Sequence, residues 1–513
     1  MIENSLQLLG PPGCGKTETL LRMVDDKLAA GVLPEQIVFV SFARKSIQEA
    51  KERAMRRFNL DPKRLHRFRT LHSTGFTALG LQHGDVMSTS DYAELGRMLG
   101  EQFVMNVSPE DGLLLPSDMK HGSQYLRIID RSRYRMVSLE EEWHCHDTHD
   151  LSFFKCDQIA RQLAEYKAKF AKWDYVDMIE QYTIMVDPMP CDLLIVDEAQ
   201  DLTPLQWKMV KKMAEVAGEV VLAGDDDQAI HRWTGVDVRE FISISDQKVV
   251  LEQSYRVPKK AHELAQRVVR RIKNRVPKFY YPTQEEGSVT WHYDIDSVPF
   301  DNGGSFTVMA RTNGFVQELA KKLYNMGYYY SVKGQGPISE KQAAAIATWR
   351  RLRNGEAVER PRLKDLYEVL PKQGDKAVLK RGASKLLDAL PTDGSANIHQ
   401  LCEEFGLKLQ IDLFDEIPDA YKVMGLGDEM VAYLRYVENS GEDITKPPRI
   451  KLSTMHAMKG GEDDNCVVYL GTTKTCEESS FPDDEHRLYY VAITRTRNHL
   501  HLVQSSKKYR YMV

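Results

Sequence analysis

The chain lacks any apolar run long enough to cross a membrane, since stretches such as DLLIVDEAQ are cut by charge well short of the ~20 residues a spanning helix needs. Cysteine is scarce, 7 scattered among 513 residues, so no disulfide framework is expected. The opening MIENSLQLLG has neither the basic start nor the apolar centre of a secretory leader, and a reducing, cytoplasmic compartment is the expectation. No charge of one sign dominates: 69 Lys and Arg against 74 Asp and Glu leave a formal net charge of −5, which alone argues against a polyanionic partner. Short-period repeats and long low-complexity tracts are missing too, which sets aside solenoid and disordered classes.

What is present is long and locally patterned. A chain of this length exceeds the usual limit of a single hydrophobic core, so two or more domains are expected. Charge is also uneven. Arg44 to Arg69 and Arg256 to Lys278 are rich in basic residues, whereas Glu403 to Glu442 is acid-rich, and two local positive surfaces are expected to survive the negative sum.

Apolar runs at SLQLL, QIVFVSF, DLLIVDEAQ and EVVLAGDDDQ each end in polar residues and are separated by helical patterns, the signature of parallel strands in a doubly wound sheet. A second set follows at SVTWHY, FTVMAR, IKLSTMHAM, NCVVYLG and LHLVQS. Helical stretches interrupt both sets. The expected plan is therefore α/β, with two parallel-sheet cores in tandem, each carrying a mainly helical insertion. The expected boundaries are residues 1–84 and 174–250 for the first core around an insertion at 85–173, and residues 251–340 and 446–513 for the second around 341–445.

The segment GPPGCGKT, comprising Gly10, Pro11, Pro12, Gly13, Cys14, Gly15, Lys16 and Thr17, sits between a strand and a helix and fits G-x-x-x-x-G-K-[ST]. Such a turn lets backbone N–H groups face phosphates at a helix N-terminus, while the lysine reaches the outer phosphates and the threonine hydroxyl binds Mg²⁺. In LLIVDEAQD, Asp197 closes an apolar strand as a second metal ligand, and Glu198 stands ready to polarise water. EVVLA leads into GDDDQAIHRW, so Gln228 is expected at another strand end beside the phosphates. His231 and Trp233 follow at the edge of the core, where an indole stacks on a base. On this reading Asp225, Asp226 and Asp227 belong to the Mg²⁺-nucleotide side.

These motifs, together with VSFARKSIQEAKER, RTLHSTGF, LEQSYRVP, MARTNGFVQELAKKL, LSTMHAMKGGEDDNCVVYL and RLYYVAITRTRNHLHL in the same order, resemble the UvrD/Rep-like branch of superfamily 1 DNA helicases. The resemblance runs over nearly the whole chain outside the two insertions. It implies tandem RecA-like motor domains and an ATP-dependent translocase and helicase on single-stranded DNA, 3′ to 5′ in polarity. It also implies ATP and Mg²⁺ as cofactors, a place in DNA repair or replication, binding at single/double-strand junctions, and a partner protein for loading or processivity. Tyr255 resembles the aromatic that stacks on the base, Arg256 an arginine that reaches the γ-phosphate, Arg495 the finger from the second core, and Glu462 a group approaching the nucleotide from that side. Phe42, His72, His231 and Trp233 are expected along the DNA strand, with Arg44 and Lys45 on its phosphates.

The pattern departs from the family at several points. Glu18 stands where relatives carry an arginine against the base, His231 where an aromatic such as tyrosine is usual, and the glutamine that reads adenine upstream of the loop has no counterpart before Gly10. No nuclease domain is expected after the last motif. A cluster outside the resemblance, His144, Cys145, His146, His149 and Cys156, has zinc-ligand chemistry without a zinc spacing and is read as surface groups. The rival reading of the chain is a nucleotide-gated switch that clamps DNA or protein with little unwinding of its own.

Overall fold

A computed structural model describes residues 1–41, 44–107, 114–116, 120–145, 150–374, 377–409, 417–478 and 481–513. The chain divides into two compact units, Met1–Glu286 with Ser479–Thr494, and Gly287–Glu478 with Arg495–Val513.

Unit 1 is built on six strands: β1 (Ser5–Leu9), β2 (Ile37–Ser41), β3 (Phe68–Thr70), β4 (Cys191–Asp197), β5 (Ala217–Gly224) and β6 (Gln247–Val250). Their order across the sheet is β3-β2-β4-β5-β1-β6, and every pairing is parallel. The period-2 alternation of the central strands explains why both faces are covered. Val38, Val40, Leu194, Val196 and Leu222 pack on one side against Trp207, Met209 and Val210. Phe39, Leu193, Ile195, Val221 and Ala223 pack on the other against Leu20, Leu21 and Val24. With both faces apolar and buried, the polar residues of these strands collect at their carboxyl ends, where Leu9 pairs with Gly224 and Ser41 with Asp197. Between β3 and β4, the helices His121–Arg135 and Phe153–Phe170 close a separate core around Leu95, Leu126, Ile129, Ile159 and Leu163.

Unit 2 repeats the plan with β7 (Ser288–His292), β8 (Phe306–Ala310), β9 (Tyr330–Val332), β10 (Ile450–Thr454), β11 (Asp463–Tyr469) and β12 (Thr496–Val503), ordered β9-β10-β8-β11-β12-β7 and again wholly parallel. Its insertion, between β9 and β10, has its own core of Trp349, Leu352, Leu363, Tyr367, Leu401 and Leu434.

The tandem α/β plan with helical insertions agrees with the sequence pattern. Three short strands, β3, β6 and β9, carry no alternation that marked them beforehand; β6 is an edge strand whose side chains are largely exposed. Residues 251–286 and the helix Pro482–Ile493 cluster with unit 1, although the sequence pattern assigned both to the second core. The reason is electrostatic: Arg275 and Lys278 are ion-paired to the aspartates after β5, and the carboxylate of Asp483 accepts the N–H groups of Lys273 and Asn274.

Trp349 is fully buried and donates its indole N–H to the Pro418 carbonyl at 2.9 Å. Trp349→Ala is expected to lower the stability of unit 2 by ~3–5 kcal/mol, read as an earlier urea midpoint by circular dichroism. An unmoved midpoint would contradict this packing.

Candidate nucleotide site

β1 runs straight into the glycine-rich loop, where the Gly10 N–H donates to the Gly224 carbonyl at 2.8 Å and so pins the loop to the end of β5. Gly13 and Gly15 have φ of 72° and 75°, the left-handed region that a side chain resists. A Cβ on Gly13 would also lie 2.4 Å from the Cβ of Arg256. The helix Lys16–Ala29 starts at once, with Gly15 as its N-cap and no side chain capping it, so its first N–H groups are left for an anionic ligand. The segment after β6 closes one wall. Ser254 donates its hydroxyl to the Pro12 carbonyl at 2.7 Å, and the Tyr255 N–H donates to the Gly13 carbonyl at 2.8 Å. The Tyr255 ring, 75% exposed, comes within 3.8 Å of where a Gly15 side chain would begin. The loop thus brings Lys16, Thr17, Tyr255 and Arg256 together.

Asp197 ends β4 and is buried; Glu198 follows in a left-handed conformation (φ 52°), a strained choice for a non-glycine residue that turns its carboxylate toward the loop. The Lys16 ammonium lies 2.7 Å from Glu198 Oε1 and 3.9 Å from Asp197 Oδ1. Burial pushes the Asp197 carboxyl up to about 6 against the pull of Lys16, with the Glu198 charge adding to the rise. For Lys16, burial alone would lower the pKa, but Glu198 and Asp197 outweigh it and raise it. Beside Asp197 in the sheet register is Ser41, whose buried hydroxyl has no hydrogen-bond partner among the described residues. A chain of polar contacts leaves Glu198: Gln200 Nε2 donates to Glu198 Oε2 at 2.6 Å, Gln200 Oε1 accepts the Asp225 N–H at 3.0 Å, and Gln228 Nε2 donates to Asp225 Oδ2 at 2.7 Å.

The three aspartates after β5 are not open carboxylates but are paired within the protein. All three are buried, and their nearest oxygens surround the Lys278 ammonium at 3.0, 2.6 and 2.7 Å for Asp225, Asp226 and Asp227. Arg275 grips Asp227 through two contacts of 2.7 Å, and the Val276 N–H donates to Asp226 at 2.7 Å. Burial pushes Asp226 up; it pushes Asp227 up as well, but there Lys278 and Arg275 prevail and its pKa falls. Three carboxylates within reach of one metal ion are therefore already matched by two internal cations. Lys278 and Arg275 belong to a run read from the sequence as a basic surface, yet the Lys278 side chain is only 1% exposed. A lysine and an arginine at NRVPK carry no signal of burial unless the acidic trio is known to need partners.

In unit 2, Arg495 is buried at the start of β12 and donates to the Gly461 carbonyl at 3.4 Å, while Glu462 is held by Arg497 at 3.1 Å.

Residues 1–248 match the UvrD/REP helicase N-terminal domain, and residues 411–507 match the UvrD-like helicase C-terminal domain, together more than half of the chain. The chain belongs to the UvrD/REP helicase family. Among its relatives, the protein named "Putative ATP-dependent DNA helicase YjcD" of Bacillus subtilis is 22% identical over 98% of this chain and 77% of that relative. The ATP-dependent DNA helicase PcrA of Bacillus subtilis is 22% identical over 69% of this chain and 62% of its own length, and DNA helicase II of Escherichia coli is 22% identical over 62% and 56%. The chain thus spans less than two thirds of the latter two.

Within this UvrD-like chain the described residues expected along DNA differ in exposure. His72 is buried, with Nε2 3.0 Å from the Tyr134 hydroxyl and its ring edge-on to Tyr134 and Tyr175. His231 is buried as well, edge-on to Trp233, whose indole is 45% exposed. Arg44 is exposed at the start of the helix Arg44–Phe58; Phe42 and the Lys45 side chain lie outside the described residues. Glu18 is paired with Arg57 at 2.9 Å and Arg22 at 3.4 Å. The supposed surface cluster is split, because Cys156 sits in the apolar core of the first insertion while Cys145 is exposed, and His146 and His149 lie outside the described residues. Among those described, no helix is long and apolar enough to cross a membrane.

Gly13→Ala is expected to weaken binding of a fluorescent ATP analogue by about tenfold or more, because the added methyl meets Arg256 and resists the positive φ; unchanged affinity would contradict the loop geometry. The Cys14 thiol is pushed up to about 12, chiefly by burial. At about pH 8 iodoacetamide is expected to label Cys145 and spare Cys14 by peptide mass mapping, and prior labelling of Cys14 would count against its packing.

Proposed function

We propose that this UvrD-like chain is an ATP-dependent motor that translocates 3′ to 5′ on single-stranded DNA and separates strands at single/double-strand junctions in the cytoplasm, with the two parallel-sheet cores as its motor domains and residues 85–173 and 341–445 as their insertions. The observation that carries the reading is the Lys16 ammonium held 2.7 Å from Glu198 at the mouth of a glycine loop whose helix N-terminus has no cap. A lysine so placed is paired to a carboxylate until phosphate oxygens replace it. ATP would therefore draw Lys16 away and leave Glu198 to take a proton from the attacking water.

The chemistry of the donors fits a divalent cation: Thr17 at the helix start and the buried Asp197 beside the orphan Ser41 hydroxyl would hold Mg²⁺, which when bound supplies charge neutralisation at the phosphates. Gln228 would sense the γ-phosphate, Tyr255 would stack on the base and Arg256 would reach the γ-phosphate, with Gly10–Thr17 around the phosphates. Arg495 and Glu462 would come from the second core. A cation delivered from another domain raises phosphoryl transfer by ~10³ to 10⁵ and makes hydrolysis depend on closure, which is what a motor requires. Trp233 and Arg44 are the exposed candidates for contact with the strand. A loading or processivity partner completes the proposal, and the names of the relatives, ATP-dependent DNA helicases, support the substrate class.

The test is ATPase turnover with and without a single-stranded oligonucleotide, followed by strand displacement on duplexes with a 3′ or a 5′ tail. Wild type is expected to be strongly stimulated by DNA and to open the 3′-tailed duplex. Lys16→Ala should lose turnover, and Arg495→Ala should keep nucleotide affinity while losing ~10³-fold or more in kcat. Slow hydrolysis indifferent to DNA would mark a nucleotide-gated switch instead.

A further inference from the structure

We infer that Lys278 is a positioning residue for Gln228, acting through Asp225, and that the segment 273–278 is the strap that sets this part of the nucleotide site. The inference rests on the proposed role of Gln228 in hydrolysis.

Asp225 has both carboxylate oxygens occupied. Oδ2 accepts the Gln228 amide N–H at 2.7 Å, while Oδ1 accepts the Asp227 N–H at 3.2 Å and lies 3.0 Å from the Lys278 ammonium. With contacts on both sides its plane cannot rotate, and one end of the Gln228 amide is held with it. The Gln228 N–H also donates to the Asp225 carbonyl at 2.9 Å, so side chain and backbone refer to the same residue. On its other flank Asp225 joins Gln200, and Gln200 joins the Glu198 carboxylate that meets Lys16. Lys278 is thus the far anchor of an unbroken chain of contacts ending at the phosphate-binding lysine.

Three adjacent buried carboxylates would repel one another apart without a cation among them. A lysine suits the place because its compact ammonium donates to Asp226 Oδ1 while lying within 3.0 Å of the carboxylates of Asp225 and Asp227. A metal-binding role for the trio is disfavoured, since that ammonium fills the space between the oxygens.

The strap is fixed from its other side as well. Asp483 accepts the N–H groups of Lys273 and Asn274 at 3.1 and 3.0 Å, and the buried Arg487 donates to the carbonyls of Asp226 and Asn274. Both belong to the helix Pro482–Ile493, which leads into Arg495 two residues later. The same six residues therefore anchor the aspartate trio and the helix that precedes the proposed finger.

The experiment is a double-mutant cycle on the full chain, with DNA-stimulated kcat and equilibrium binding of a fluorescent ATP analogue measured for wild type, Lys278→Met, Gln228→Ala and the double variant. Lys278→Met is expected to lower kcat by about 10- to 100-fold while nucleotide Kd stays within about twofold. In the double variant kcat is expected to be no lower than in Gln228→Ala alone, because Lys278 acts through that amide. A multiplicative loss, or undiminished turnover in Lys278→Met, overturns the inference and leaves the proposed function standing. Wild-type turnover in Gln228→Ala overturns the role of Gln228 and the inference with it. Should Lys278→Met fail to fold, Lys278→Met with Asp226→Asn keeps the net charge of the cluster and leaves Asp225 without its ammonium. Its melting temperature reports the fold. A continued loss of kcat supports positioning, whereas full recovery shows that Lys278 only balances charge and overturns the inference.

Discussion

Charge that cannot reach water has to be matched in place, and at the carboxyl edge of the first sheet this requirement organises what surrounds it. Five carboxylates gather there, Asp197, Glu198, Asp225, Asp226 and Asp227, delivered by two neighbouring strands whose apolar faces leave polar residues nowhere else to go. Lys16 answers the first pair, and Lys278 with Arg275 answers the trio. On the proposed function the first match would be exchangeable, since phosphate oxygens would compete for the same lysine. The second is closed, with every partner drawn from the chain itself. On that reading one edge of one sheet holds a part that would change with a nucleotide and a part that resists change.

The difference follows from geometry more than from residue type. Lys16 stands at an uncapped helix start beside a loop bent by Gly13 and Gly15, where a ligand has room. Lys278 stands at the end of a strap sealed by Asp483 and Arg487. Both are lysines set among carboxylates, Lys16 with its side chain 12% exposed and Lys278 with 1%, and on the proposed function only their surroundings separate a binding group from a structural one. Gln200 and Asp225 connect the two, so movement at Glu198 has a path of hydrogen bonds along which to reach Gln228.

Much of this was legible beforehand, for identifiable reasons. The central strands were readable because parallel strands buried on both faces need long apolar runs, and the glycine-rich loop because a left-handed turn before a helix demands glycine at fixed spacing. Short edge strands such as Gln247–Val250 were not readable, since an edge needs no buried face. The burial of His72 and His231 was not readable, because an imidazole looks the same in sequence whether it meets a tyrosine hydroxyl in the interior or lies at the surface. Cys156 was taken for a surface group, yet a thiol packs as readily as an alanine and here fills the first insertion's core.

Sequence alone determined the two α/β cores, the insertions, the glycine-rich loop and the acidic pair at the end of its strand, because each rests on local spacing and on periodicity that a strand or helix imposes directly. Only the tertiary structure decided which charges are spent on the protein itself. Asp225 to Asp227 and Arg275 with Lys278 lie some fifty residues apart, and nothing local tells an ion pair within the fold from one awaiting a ligand. That choice is made by the packing that brings distant segments together and shuts water out between them.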